Sequence, residues 1–132
     1  MKLLPKNYNI LFNKAKAQRA VAYAPYSGFH VGAALSTKEG EIFCGCNVEN
    51  RSFGLTNCAE RTAIFNMISG GAKAPETIVI TSDTVGSVTY PCGACLQVLT
   101  EFNKNMTVIC TDSTGTLKEV YTALELFPKC SI

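Results

Sequence analysis

Apolar positions near the start of the chain recur at helical spacing. Tyr8, Leu11, Phe12, Ala15 and Ala22 fall in one row, with Arg19 among them. This pattern predicts a first helix over Asn7 to Tyr23, ended by Pro25 and Gly28. Phe29 to Ser36 and Ile42 to Val48 read as two strands joined at Lys38-Glu39-Gly40, a hairpin signal. A loop rich in Asn, Ser and Gly runs from Asn50 to Asn57. The next helix is predicted from Cys58 to Ser69, stopping at Gly70-Gly71. Glu76 to Ser82 is a continuous apolar strand, as expected of one buried on both faces. Pro91 stands where proline is tolerated, at the start of a helix running to Asn103. Met106 to Thr111 is a further strand, and Asp112-Ser113-Thr114-Gly115 a turn. Leu117 to Tyr121 is the last strand, antiparallel to the one before. Thr122 to Phe127 forms one short helical turn before Pro128. The order α-β-β-α-β-α-β-β-α suggests an α/β fold, a mixed five-stranded sheet with helices on its faces.

Bulk properties narrow the function. The chain has 132 residues, 47 % of them apolar, enough for one core in a single domain spanning 1–132. Its formal net charge is only +2, and no Lys/Arg run stands out. This argues against a nucleic-acid partner. No stretch approaches the roughly 20 apolar residues that span a bilayer, so no membrane is expected. The segment Met1 to Asn7 lacks the apolar run of a signal peptide, which points to the cytoplasm. Seven cysteines are many for that compartment, where disulfides are rare. Metal ligation or burial as small apolar residues explains them better.

Three fragments carry the chemistry. Cys92-Gly93-Ala94-Cys95 sets two thiols one helical turn apart at a helix N-terminus, where the helix field favours thiolate. Cys58 opens another predicted helix in a similar field. Three thiolates leave one tetrahedral position for water, the pattern of a catalytic zinc site. Glu60, two residues after Cys58, is placed to accept a proton from that water without being a ligand. Arg61 would offset the negative charge of a three-thiolate site and steady its sulfurs by hydrogen bonds. Three plainer readings compete. A lone C-x-x-C also suits a redox pair, though that leaves Cys58-Ala59-Glu60 unexplained. A structural zinc site needs a fourth ligand, for which His30, Cys44, Cys46 and Cys110 are available. Glu60 and Arg61 also suit an ordinary amphipathic helix.

Read together, Asn47-Val48-Glu49-Asn50, Cys58-Ala59-Glu60-Arg61-Thr62-Ala63 and Pro91-Cys92-Gly93-Ala94-Cys95 with Gln97-Val98 resemble the small homotetrameric cytidine deaminases of pyrimidine salvage. The resemblance runs from Ala24-Pro25-Tyr26-Ser27 to Leu124. It implies a three-layer α-β-α sandwich and one Zn2+ per chain, held by Cys58, Cys92 and Cys95. It implies hydrolytic deamination of cytidine and 2′-deoxycytidine, with Glu60 shuttling the proton. It assigns Asn47 and Glu49 to the ribose 3′-hydroxyl, Phe29 to the face of the base and the Ala59 backbone to its edge. Arg61 and Gln97 would lie beside the metal ligands. A homotetramer with active sites near subunit interfaces is implied too. Two departures stand out. Leu96 replaces the arginine that usually follows the second cysteine of Pro-Cys-Gly-Ala-Cys. The chain end, Leu126-Phe127-Pro128-Lys129-Cys130-Ser131-Ile132, lacks the aromatic that a neighbouring subunit places over the base, and Phe127 is the nearest substitute. Rival readings are a deaminase for a blasticidin-type antibiotic, a nucleic-acid-editing deaminase and a zinc-stabilised binding module without catalysis.

Overall fold

The period-2 pattern of the strands resolves into two apolar surfaces. The computed structural model describes residues 3–129. Met1, Lys2 and the last three residues, Cys130 to Ile132, lie outside that range. The chain end's missing aromatic and the first residues of the N-terminal segment therefore fall outside the described residues.

Helix α1 covers Tyr8–Ala20 and strands β1 and β2 cover Val31–Thr37 and Ile42–Cys46. Helix α2 is Ala59–Ser69, strand β3 Pro75–Ser82 and helix α3 Gly93–Phe102. Strands β4 and β5, Thr107–Thr111 and Lys118–Thr122, precede a last helix α4 at Ala123–Leu126. The sheet order is β2-β1-β3-β4-β5. Only the β3–β4 pair is parallel, because α3 carries the chain back between them. This is the mixed five-stranded sheet that the pattern predicts, with the last two strands antiparallel.

Alternation along the strands separates the layers. Ala34, Val79, Ile109 and Val120 pack against Tyr8, Leu11, Phe12 and Ala15 of α1. Their neighbours Ala33, Leu35, Ile78, Ile80, Val108 and Cys110 face Ala59, Ala63, Ile64 and Met67 of α2 and Leu99 of α3. Burying each such Leu or Ile contributes about 1.5–3 kcal/mol. Two glycines let the helices sit directly on the sheet. A Cβ on Gly32 would lie 1.9 Å from the Ala15 carbonyl oxygen of α1, and one on Gly45 2.4 Å from the Ala63 nitrogen of α2.

Several boundaries differ from the pattern, with identifiable causes. Helix α1 stops at Ala20 instead of Tyr23, because Tyr23 pairs with the segment after β2. Its N–H bonds Asn47 O at 3.0 Å, and its carbonyl accepts from Glu49 N at 2.8 Å. Arg19 does not join the apolar face; its Nη1 donates to Thr81 Oγ1, Ser82 O and Ser113 O. Strand β1 starts at Val31 instead of Phe29. The Asn47 side chain takes the ladder's place there, accepting from Val31 N at 2.9 Å and donating to Phe29 O at 2.8 Å. Val48 leaves β2 to pair with Asn57. The loop from Asn50 to Asn57 contains a short 3-10 turn, Phe53–Leu55.

Candidate active site

Two helix N-termini bring the thiols together. Cys58 is the N-cap of α2 and Cys92 the N-cap of α3, both in extended backbone conformation. Neither side chain caps its own helix, so the sulfurs turn toward each other. Pro91 lies one residue before the cap instead of inside the helix. Cys95, one turn into α3, is fully buried. The three Sγ atoms lie within 4.8 Å of one another, and Cys58 and Cys92 Sγ are 3.9 Å apart. Tetrahedral zinc with Zn–S bonds of about 2.3 Å requires S···S separations of about 3.8 Å. The donor set therefore fits zinc, with a fourth position available. Among the described residues no other cluster of metal-binding side chains occurs. His30 instead bonds Asp83, Nδ1 to Oδ2 at 2.7 Å. Cys44 packs on the α1 side of the sheet, Cys46 shares that face by strand alternation, and Cys110 belongs to the core under α2. The structure thus offers none of the four as a further ligand.

Electrostatics bias the thiols unequally. The bond from Cys95, then Arg61, lowers Cys58 to about 5. The same bond, then burial, pushes Cys95 well above its ordinary range. Arg61 Nη2 donates to Cys58 Sγ at 3.3 Å. Its Nε is buried with no partner. Glu60 is 4 % exposed. Burial, seconded by the charge of Cys58, raises its carboxyl to about 7 against an opposing backbone hydrogen bond.

A cleft of about 210 Å3 opens over this group. Phe29, Asn47, Cys58, Ala59, Glu60 and Cys92 all line it, together with Val31, Thr56, Thr89 and Tyr90. Phe29 is 41 % exposed and therefore belongs to the cleft wall, not to the core. Glu49 lies in an adjoining cleft of about 300 Å3 with Tyr26, Ser27, Asn50 and Phe53, and Thr56 borders both clefts. Its Oε1 accepts from the Tyr26 and Ser27 N–H groups at 2.9 and 3.1 Å, and Oε2 bonds the Ser27 hydroxyl. These bonds, the Ser27 hydroxyl foremost, hold the carboxyl below its ordinary range. Gln97 is half-buried on α3, where its carbonyl accepts from Thr100 Oγ1 at 3.1 Å. No hydrogen bond joins its side chain to the cysteines among the described residues. Leu96 is 6 % exposed, an apolar residue beside the cysteines. The sequence reading missed Thr56, Thr89 and Tyr90. Tyr90 and Thr89 directly precede Pro91-Cys92, and that adjacency was the available signal.

Three converging thiols that would hold zinc and a buried carboxyl beside them, on an α/β sheet, define a zinc protein of the catalytic kind. Residues 6–111 match the cytidine and deoxycytidylate deaminase zinc-binding region, and the chain belongs to that family. It is 45 % identical to a cytidine deaminase of Sporosarcina psychrophila over 89 % of this chain and 86 % of the relative. It is also 45 % identical to one of Halalkalibacterium halodurans, over 90 % and 89 %. The crystal structure of cytidine deaminase from Burkholderia pseudomallei superposes with a TM-score of 0.87 at 42 % identity, covering 92 % of this chain and 97 % of that one.

Proposed function

We propose that this chain is one deaminase domain that converts cytidine and 2′-deoxycytidine, with water, to uridine or 2′-deoxyuridine and ammonia. The observation that carries the reading is the convergence of Cys58, Cys92 and Cys95 Sγ within 4.8 Å beneath a cleft that Glu60 also lines. Cys58, Cys92 and Cys95 hold the zinc, with Arg61 donating to Cys58. Zinc supplies Lewis acidity that makes water a nucleophile near neutral pH. Glu60 takes the proton from the attacking water, delivers it to N3 of the base and then assists loss of the amino group as ammonia. Phe29 lies against the base, and the Ala59 backbone meets its edge. Asn47 and Glu49 take the ribose 3′-hydroxyl, and both are ordered beforehand by their own backbone partners. Gln97 is assigned beside the metal ligands by resemblance.

A nucleoside is favoured over a nucleotide by the lining of the two clefts. The two clefts are lined mainly by neutral side chains, with Glu49 and Glu60 as the acidic ones, and a carboxylate facing the substrate suits a neutral sugar hydroxyl better than a phosphate. A small molecule is favoured over a nucleic acid by the small formal net charge of +2. The six described cysteines are all free, as suits the cytoplasm. No helix among the described residues is long and apolar enough to cross a membrane. A homotetramer is supported by exposed apolar residues on α2, Phe65 and Ile68, and on the preceding turn, Phe53 and Leu55. Sedimentation at the monomer mass, near 14.2 kDa, removes that assignment.

The direct test pairs a zinc measurement, expected at one ion per chain, with the ultraviolet change as cytidine becomes uridine. Zinc-loaded protein that leaves cytidine untouched, beside an active control deaminase, refutes the reading.

A further inference from the structure

The cleft over the cysteines has two aromatic residues in its lining, Phe29 and Tyr90. Tyr90 is 52 % exposed, yet its ring is tethered. Its hydroxyl donates to Glu119 Oε1 on β5 at 2.7 Å. The Tyr121 hydroxyl donates to the same oxygen, and the Tyr90 and Tyr121 rings lie 6.4 Å apart at 51°. Both bonds go to a carboxylate, so they are stronger than bonds between neutral groups. Glu119 is not part of the cleft lining. The hydroxyl is therefore engaged by a residue outside the cleft lining. Phe29 leads into β1, whereas Tyr90 is anchored on β5. The cleft thus has two aromatic residues in its lining, one leading into β1 and one tied to β5. A ring held before the ligand arrives loses little conformational freedom on binding.

We propose that Tyr90, pinned by Glu119 and Tyr121, is a specificity-determining residue that packs against the planar base. The proposal rests on the nucleoside reading above. The plainer role is a structural tie between the start of α3 and β5, and the two roles predict different measurements. Base–aromatic stacking is worth about 1–3 kcal/mol per base, equivalent to roughly 5- to 150-fold in affinity.

Zinc-loaded wild type, Tyr90→Leu and Tyr90→Phe are compared by cytidine KM and kcat and by calorimetric Kd for uridine. In Tyr90→Leu, KM and uridine Kd are expected to rise together by roughly 5- to 150-fold while kcat holds. Tyr90→Phe keeps the ring but loses its tether to Glu119, so it is expected to weaken uridine binding by less than Tyr90→Leu does. Unchanged uridine Kd in Tyr90→Leu, with normal wild-type activity, overturns the proposal alone. Parallel loss of zinc and kcat in both variants assigns the tie instead and also overturns it. If Tyr90→Leu does not fold, Glu119→Leu decides, because it frees the ring without removing it. Weaker uridine binding at unchanged kcat then supports the proposal, and unchanged binding refutes it. Wild-type protein that neither deaminates cytidine nor binds uridine overturns the nucleoside reading itself, and Tyr90's role with it.

Discussion

Replacing Gly45 with alanine tests whether the contact between β2 and α2 positions the metal site. A Cβ there would lie 2.4 Å from Ala63 N, 2.7 Å from Ala59 O and 2.8 Å from the Thr62 carbonyl carbon. All three atoms are helix backbone and cannot rotate aside. Ordinary contact begins near 3.4 Å, so α2 must retreat by about 1 Å, an overpacking that costs about 1–3 kcal/mol. In a domain of this size that lowers Tm by roughly 4–11 °C. The metal site is affected more. Cys58 rides on α2, while Cys92 and Cys95 ride on α3. Metal–ligand distances tolerate only about 0.2 Å, several times less than the displacement. Zinc affinity, measured by competition with a chromogenic chelator, is therefore expected to fall about tenfold or more, the scale on which misplaced supports weaken metal sites. Gly54→Ala is the control, because a Cβ there meets nothing within 4 Å. Wild-type zinc affinity and melting in Gly45→Ala refute the reasoning.

Other outcomes follow from the same site and its surroundings. Glu60→Gln keeps the shape and loses the proton acceptor, so kcat is expected to drop about 10²- to 10⁴-fold with zinc content and melting preserved; an active variant rules out the proton shuttle. Arg61→Ala removes the 3.3 Å bond to Cys58 Sγ, and chelator competition should show zinc held about 10- to 100-fold more weakly. Asp112 accepts at Oδ1 from Thr114 N, Thr114 Oγ1 and Gly115 N. These bonds, the Thr114 hydroxyl first, hold its carboxyl below the ordinary range. Its stabilisation is thus complete above the unfolded value, about 3.9, and disappears as pH falls through the lower folded value. The melting difference between wild type and Asp112→Asn should accordingly be present at neutral pH and close in acid; a constant difference contradicts the assignment.

Local chemistry accounts for what was readable. The spacing of Tyr8, Leu11, Phe12 and Ala15 is a property of consecutive residues, and so is the alternation that divides Val79 from Ile78 and Ile80. The cysteines were readable for the same reason: Cys92 and Cys95 are one turn apart on one helix, and Glu60 follows Cys58 within its first turn. Boundaries failed where distant backbone intervened. Nothing between Asn7 and Tyr23 signals that Tyr23 will bond Asn47 and Glu49, so the helical pattern overshoots. Nor does Phe29 reveal that Asn47 will occupy its carbonyl and turn its ring into the cleft.

The sequence by itself determined the elements, the zinc-binding residue types and the family resemblance, because each depends on residues within a few positions of one another. Only the tertiary structure decided that Cys58 stands 3.9 Å from Cys92 across 34 residues. It alone separated His30, Cys44, Cys46 and Cys110 from that cluster. It also decided that Glu49 orders Tyr26 and Ser27, and that Tyr90 reaches β5 to wall the cleft. Those outcomes depend on which helix rests on which glycine and which strand lies beside which. That is a question of packing in three dimensions, and no local pattern encodes it.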